Sequence, residues 1–320
     1  ASPDLAASIL AARSFSRMIE FLQHSEIDKA KWNRCVARSL SPSVFADFGM
    51  LSLASPDWCA LVSGDYQAVM PLIARRKWGI SYLCTPTFFS CGGIFTDTPV
   101  DDKLLRAFLE RIPRRFKRAD LLLNENCPDI AQRTLRSYRL ALAQPFEVLA
   151  HNFSENCRRN VKSAEKQNLT FSLSGEISEI INLFRRNRGA SLSLRDGDYA
   201  LLESCARYAQ EQDWLEICSV SNSEGKLLAG AFMLRDYDKI RFWFSGRNSE
   251  QAASKSMFFL ISNYLKMRSG ASLIFDFNGS MNENIARFYR GFGAEVVEIP
   301  YIQIYKLPLE NIIRQIFKNK

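Results

Sequence analysis

The chain has 320 residues, 47% of them hydrophobic, and 42 Lys and Arg against 34 Asp and Glu give a formal charge of +8. That much apolar material supports one large core or two ordinary ones and excludes general disorder, while the positive balance favours anionic partners: a phosphorylated small molecule, nucleic acid or an anionic surface. Two histidines, at 24 and 151, and eight cysteines without a CxxC spacing argue against a zinc site and against a histidine-centred triad.

In chain order, residues 1–16 are alanine-rich, with an apolar stretch too short and a start too acidic for a secretory signal, and they read as an N-terminal extension or remnant. Residues 58–62 open an apolar strand, a Gly-Asp turn follows, and residues 67–73 and 80–83 continue as strands. An amphipathic helix at 104–112 and a strand at 120–124 come next, and residues 135–138 lead into a strand at 140–149. The second half repeats this order at a nearly constant offset, with strands at 214–220, 227–234 and 240–244, a helix at 257–265 and a strand at 272–276. Residues 288–292 then lead into a strand at 295–304. The expected domains are 17–150 and 151–308, with 309–320 as a basic C-terminal helix. No apolar run approaches the roughly 20 residues of a membrane span. The isolated cysteines at 35, 59, 84, 91, 127, 157, 205 and 218 read as small core residues of a reducing, cytoplasmic compartment.

Four stretches carry candidate chemistry. In NFSENCRRNVKSAEK, residues 152–166, Ser154 is placed to cap a helix on which Arg158, Lys162 and Lys166 share a face beside Arg159; such a face is either solvated or grips phosphates. In SLSLRDGDYALLESC, Arg195 and Tyr199 stand four apart, with Asp196 or Asp198 able to cap the helix, and Arg185, Arg186 and Arg188 extend the positive surface. In FDFNGSMNENIARFYRGFGAE, residues 275–295, Asp276 ends an apolar strand where a carboxylate accepts a proton or orients an amine. Asn278, Gly279 and Ser280 form a tight turn into a helix whose N-terminus faces an oxyanion or carboxylate. In FSGRNSEQAASK, residues 244–255, Arg247, Asn248 and Lys255 are placed to receive a phosphate-bearing donor. The run RIPRRFKR, residues 111–118, is the densest in positive charge; it is either a solvated helix end or a contact for a tRNA backbone or an anionic membrane surface.

The order of elements resembles the GNAT acyltransferase fold, and its tandem form is similar to the Fem family of aminoacyl-tRNA-dependent peptidoglycan transferases and related bacterial GNAT-like enzymes. Residues 152–166 are similar to the family's serine, paired arginines and basic helix, and residues 275–295 to its aspartate, Gly-Ser turn and helix ending in Phe-Gly. Over residues 17–308 the resemblance implies an α/β (α+β) chain of two tandem GNAT-like repeats, each a mixed, mostly antiparallel sheet flanked by helices. It implies that Arg195 and Tyr199 hold the acceptor, in the Fem enzymes a nucleotide-linked cell-wall precursor. Many members carry a lysine directly after the first phenylalanine of the last helix; here that place is Tyr289, followed by Arg290. A phenol and a guanidinium then stabilise the developing charge in altered form, or the substrate has changed. The run at 244–255 lacks the Arg-x-x-Gly-x-Gly pattern of CoA enzymes.

Three readings follow. The first is a Fem-like N-acyltransferase that moves an aminoacyl or acyl group to an amine acceptor such as a peptidoglycan precursor. The second is an acyl-CoA-dependent N-acetyltransferase of a small amine or amino sugar, and the third a catalytically silent anion-binding module. No permanently bound cofactor is expected, with aminoacyl-tRNA or acyl-CoA as co-substrate, an anionic small molecule as substrate, and tRNA or an anionic membrane surface as further partners.

Overall fold

The computed structural model describes residues 19–90, 92–124, 127, 133–248 and 255–306. The expected N-terminal extension at 1–16, the C-terminal helix at 309–320 and Cys91 lie outside these residues. The chain forms two compact units, Ala1–Leu135 with Glu298–Lys320, and Arg136–Val297. The expected boundary at residues 150 and 151 thus falls within the second unit, because the chain changes unit in the middle of one strand and returns in the middle of another.

The first unit contains β1 (Ile19–Leu22), α1 (Lys29–Arg38), α2 (Phe48–Ala54), β2 (Cys59–Ser63), β3 (Ala68–Leu72), β4 (Ala74–Lys77), β5 (Ile80–Cys84), β6 (Phe95–Thr96), α3 (Asp102–Arg111) and β7 (Phe116–Leu122). Asp28, Asp47 and Asp101 start its three α-helices by accepting first-turn N–H groups on their carboxylates. Strands β1, β2, β3 and β6 pair in that order. Strand β4 pairs antiparallel with β5, β5 parallel with β7, and β7 antiparallel with residues 301–305 of the last strand, β14 (Glu295–Tyr305). Leu61, Met70, Leu72, Leu83, Leu105 and Phe108 are central to the core. The expected three-stranded meander is therefore broken here, since β3 and β5 belong to different sheets. The cause is β4, whose polar Ala-Arg-Arg-Lys composition hid a strand that captures β5 as its partner.

The second unit opens in β8 (Arg133–Ala141) and continues through α4 (Phe146–His151), α5 (Glu155–Glu165), β9 (Thr170–Ser172), α6 (Ile177–Arg186), α7 (Asp196–Glu211), β10 (Leu215–Ser221), β11 (Leu227–Asp236), β12 (Lys239–Arg247), α8 (Ser256–Arg268), β13 (Ile274–Asp276) and α9 (Glu283–Gly291) into β14. Here the expected antiparallel meander of β10, β11 and β12 is present, and β13 joins β12 in parallel and β8 antiparallel. Two expectations are corrected: residues 135–138 are strand, and the strand expected at 140–149 ends at Ala141. Pro145 then starts α4, its fixed φ suiting a helix entrance, and the apolar residues that followed it resembled a strand only in composition.

One sheet face of this unit packs a core of Tyr138, Phe242, Phe275, Phe277, Tyr289 and Phe292 together with α8 and α9. The other face carries α6, which lies on two glycines. A methyl group at Gly246 would stand 2.4 Å from the Ile180 carbonyl oxygen and 2.8 Å from the Phe184 nitrogen, and one at Gly230 would stand 2.5 Å from the Ile180 side chain. Gly246→Val is therefore expected to cost about 1–3 kcal/mol in urea unfolding, because helix backbone has to retreat from the strand. Unchanged stability would show that α6 is not seated on that glycine. The seven described cysteines are free thiols. Burial raises Cys35 and Cys127 to about 11 and Cys157 and Cys205 to about 12, which suits packing rather than nucleophilic attack.

Candidate functional site

The second unit contains every residue singled out for acyl-transfer chemistry. Lys239, Ile240 and Arg241 of β12 lie opposite Ile274, Phe275 and Asp276 of β13, and there the parallel pairing ends. Strand β12 runs on to Arg247 beside β11, while the chain after Asp276 turns away through Asn278 at φ 60° and Gly279 at φ 77°. Just past this point Trp243 is an extra residue in β12, between the pairs Phe232–Phe244 and Met233–Phe242. Such a bulge bends a strand and increases its twist. The two strands part, and among the described residues no strand lies opposite residues 242–247 on the side that β13 has left.

Asp276 is fully buried rather than placed at an open strand end as expected. Its carboxylate accepts from Ser137 Oγ at 2.7 Å, Arg139 Nε at 2.9 Å, Arg241 Nη1 at 3.3 Å and the Asn278 N–H at 2.8 Å. Arg241 also pairs with the buried Asp236, so two carboxylates and two guanidinium groups link β8, β13, β12 and β11. Burial alone would raise the Asp276 carboxyl, but the charges of Arg241 and Arg139, with the Ser137 and Asn278 donors, outweigh it and hold the carboxyl below the usual carboxylate range. An ion held in this way is a poor proton acceptor.

Tyr289 belongs to the core on the opposite sheet face, stacked on Phe277 at 4.6 Å between centroids and beside Tyr138 at 5.7 Å. Burial pushes its phenol far up; the Asp276 charge adds to the rise and Arg188 partly offsets it, so the phenol stays neutral. The buried Tyr138 hydroxyl and the Asn278 carboxamide oxygen have no protein partner, which leaves two polar atoms that a bound molecule would satisfy. Arg290 is exposed, 3.3 Å from Glu283. The expected trio of Asp276, Tyr289 and Arg290 is thus not one cluster: the carboxylate and the phenol sit on opposite faces of the strand end, and the exposed guanidinium lies 5.8 Å from the centre of the Tyr138 ring that neighbours Tyr289.

The turn and helix also differ from expectation. Gly279 is required by close approach, since a methyl there would be 2.7 Å from the Arg136 carbonyl oxygen. Ser280 accepts the Asn282 N–H, and Asn282 caps α9 by accepting from Asn284 and Ile285. These bonds occupy first-turn donors that were expected to face substrate. Ser154 caps α5 through the Cys157 N–H, as its place before the helix implied. Arg158 donates to the carbonyls of His151 and Phe153 and so closes α4, Arg159 bonds Asn156, and Lys162 and Lys166 are exposed on the same helix.

Arg195 stands exposed at the start of α7, its N–H held by Asp198 at 2.9 Å. The Tyr199 ring is buried 6.5 Å from Phe184, under the Arg185 guanidinium at 5.2 Å, and its hydroxyl fits only because residue 189 is glycine. It supports the layer that presents Arg195 rather than reaching solvent itself. Asn187 Nδ2 donates to the Arg247 carbonyl at 3.0 Å, tying the end of α6 to the end of β12. Arg188 follows directly, and its charge is felt at the Tyr289 phenol. Sequence reasoning named Arg188 only as part of a positive surface; no spacing signal separated it from Arg185 and Arg186. On the donor side, the Asn248 N–H bonds the Leu228 carbonyl and Lys255 Nζ donates to Ser163 Oγ at 2.6 Å. Residues 249–254, between them in sequence, lie outside the described residues. Among the described residues no group of His, Cys, Asp and Glu is arranged to hold a metal, and no helix is long and apolar enough to cross a membrane.

No protein-family model matches the chain, and no curated protein matches its sequence. Its fold is similar to that of several solved structures. FemX matches at a TM-score of 0.63 and 12% identity, over 94% of this chain and 100% of that one. A conserved protein of unknown function from Bacteroides thetaiotaomicron matches at 0.60 and 12%, over 90% and 100%. The C-terminal domain of a putative lysylphosphatidylglycerol synthetase from Agrobacterium fabrum matches at 0.52 and 13%, over 88% and 95%. The chain therefore has the Fem-like GNAT fold that its order of elements implied.

Proposed function

We propose that the protein is an N-acyltransferase whose reacting centre lies where β12 and β13 part. The parting itself carries this reading: among the described residues it leaves one edge of residues 242–247 without a strand, next to a bulge, with Arg188 following the Asn187 that bonds the Arg247 carbonyl. An extended acyl donor can pair with that edge as a missing strand would. An acceptor amine then attacks the acyl carbonyl, a C–N bond forms, and the C–S bond of an acyl-CoA or the C–O bond of an aminoacyl-tRNA breaks, the amine proton passing to the leaving group. Tyr289 donates a hydrogen bond to the oxygen on which charge develops. Arg188 and Arg195 hold an anionic acceptor, and Arg247 and Lys255 the donor's phosphates. Asp276 fixes the strand end that separates these groups and takes no proton.

Among acceptors, a nucleotide-linked cell-wall precursor is the one the Fem-like fold favours. A second reading takes its support from the fold shared with the lysylphosphatidylglycerol synthetase domain: the acceptor is then the hydroxylated headgroup of an anionic phospholipid. Thermal unfolding of the wild type, Arg188→Ala and Arg195→Ala with acetyl-CoA, a longer acyl-CoA, aminoacyl-tRNA, a nucleotide-linked muropeptide and a short-chain phosphatidylglycerol separates these cases. A ligand at 100 times its Kd stabilises by about 2.7 kcal/mol. Stabilisation by muropeptide that is lost in Arg195→Ala supports the cell-wall reading, and a response to an acyl-CoA alone supports CoA-dependent transfer. No response to any donor contradicts the acyltransferase proposal.

A further inference from the structure

In the first unit, β4 is the edge strand of its sheet, and Trp78-Gly79 forms a two-residue turn into β5, with Lys77 opposite Ile80. Both turn residues are left-handed, Trp78 at φ 49° and Gly79 at φ 78°. Asn, Asp or Gly suits the first place of such a turn, and a bulky residue there carries strain on the order of 1–3 kcal/mol. Burial does not offset it. The indole is 71% exposed, with the Lys77 ammonium 4.8 Å from its ring. Shielding an edge strand from aggregation requires charge and no exposed indole.

The parallel register of β5 and β7 sets this tip beside a basic run distant in sequence: Ser81 lies opposite Phe116, and Tyr82 opposite Arg118. Arg114 and Arg115 immediately precede β7 and are exposed. The Lys306 N–H bonds the Lys117 carbonyl, and the Lys306 ammonium is lowered by burial and then by the charge of Arg114, a sign of crowded cations. Arg118 is matched by Asp120 at 2.6 Å, but residues 74–84 and 111–119 contain no Asp or Glu. An exposed indole, with Lys77 against its ring, thus shares this end of the sheet with Arg76, Arg114 and Lys117, while Arg115 lies over Phe21 and Phe116 and the Lys306 ammonium donates to the Ile112 carbonyl.

We infer that this end of the first unit docks on an anionic phospholipid surface, the Trp78 indole entering the interfacial layer and the cations facing headgroup charge. Indole, with an apolar body and a polar N–H, is the side chain most at home at that depth. Each Lys or Arg close to an anionic leaflet strengthens binding about fivefold. Single-stranded nucleic acid fits less well, because stacking successive bases needs several exposed rings and the neighbouring Phe116 and Tyr82 are buried.

The test is co-sedimentation of the full chain with vesicles of phosphatidylcholine, with and without phosphatidylglycerol, while tryptophan emission is followed. Of the five tryptophans, Trp32, Trp58 and Trp243 are buried and Trp214 is half-buried, so a blue shift reports Trp78. The expected result is binding to the phosphatidylglycerol vesicles alone, weakened by salt, with a blue shift that Trp78→Ala abolishes. Replacing Arg76, Lys77, Arg114 and Lys117 together by Gln weakens it about fivefold per charge removed, with the circular dichroism unchanged. Absence of binding, equal binding to both vesicles, binding without a blue shift, or binding to a single-stranded RNA in place of vesicles overturns the inference. Trp78 and the four replaced cations lie in the first unit and have no part in the transferase reading, so loss of binding in these variants stands or falls separately from it.

Discussion

Asp276→Ala is expected to lose about 3–5 kcal/mol of stability in urea unfolding, because it takes from Arg139 and Arg241 the carboxylate they share inside the sheet and leaves Asp236 as the counter-charge to Arg241. The carboxylate is 1% exposed and those two guanidinium groups 13% and 10%, so water does not replace what is lost. The loss depends on pH with a definite sign. The Asp276 carboxyl lies lower in the folded chain than the roughly 3.9 of an unfolded aspartate. Its contribution is therefore complete above that value and disappears as pH falls through the lowered folded one. The wild type should lose stability through this acid window more steeply than Asp276→Asn, and the two should run parallel above about pH 5. Equal acid slopes would show that the carboxylate is not held in the network described.

Tyr289→Phe is expected to lower kcat about 10²- to 10³-fold, the usual effect of removing one donor to a developing oxyanion. KM and the unfolding midpoint should change little, since the ring and its stacking on Phe277 remain. Because the phenol is pushed far above its ordinary value, the wild-type rate should show no decline on approaching pH 10, where a free tyrosine ionises. A variant with full activity would remove Tyr289 from the mechanism, and a rate that falls with the ordinary tyrosine ionisation would place the phenol in water.

Much of the second unit was legible in sequence because its signals are local. The apolar runs of β10 and β11, the cap at Ser154 and the Asn278-Gly279 turn each need only neighbouring residues to be read. The failures arose where partners are remote. Strand β4 looked polar because it lies at a sheet edge, and α4 looked like a strand until Pro145 is given its weight. Asp276 was correctly placed at the end of a strand, but its role depends on Ser137 and Arg139, far away in sequence, and on Arg241. Nothing near residue 276 announces two arginines waiting for its carboxylate. Arg188 emerged for the same reason, since only the bond from Asn187 to the end of β12 brings it to the parted strands.

The most direct test of a donor site between β12 and β13 is backbone hydrogen exchange of the full chain with and without a non-hydrolysable acyl-CoA and, separately, a stable aminoacyl-tRNA analogue. The account predicts that at least one donor slows exchange in residues 242–248, with a second protected stretch at 187–191 around Arg188. Protection confined to other elements, or none with either donor, would contradict it.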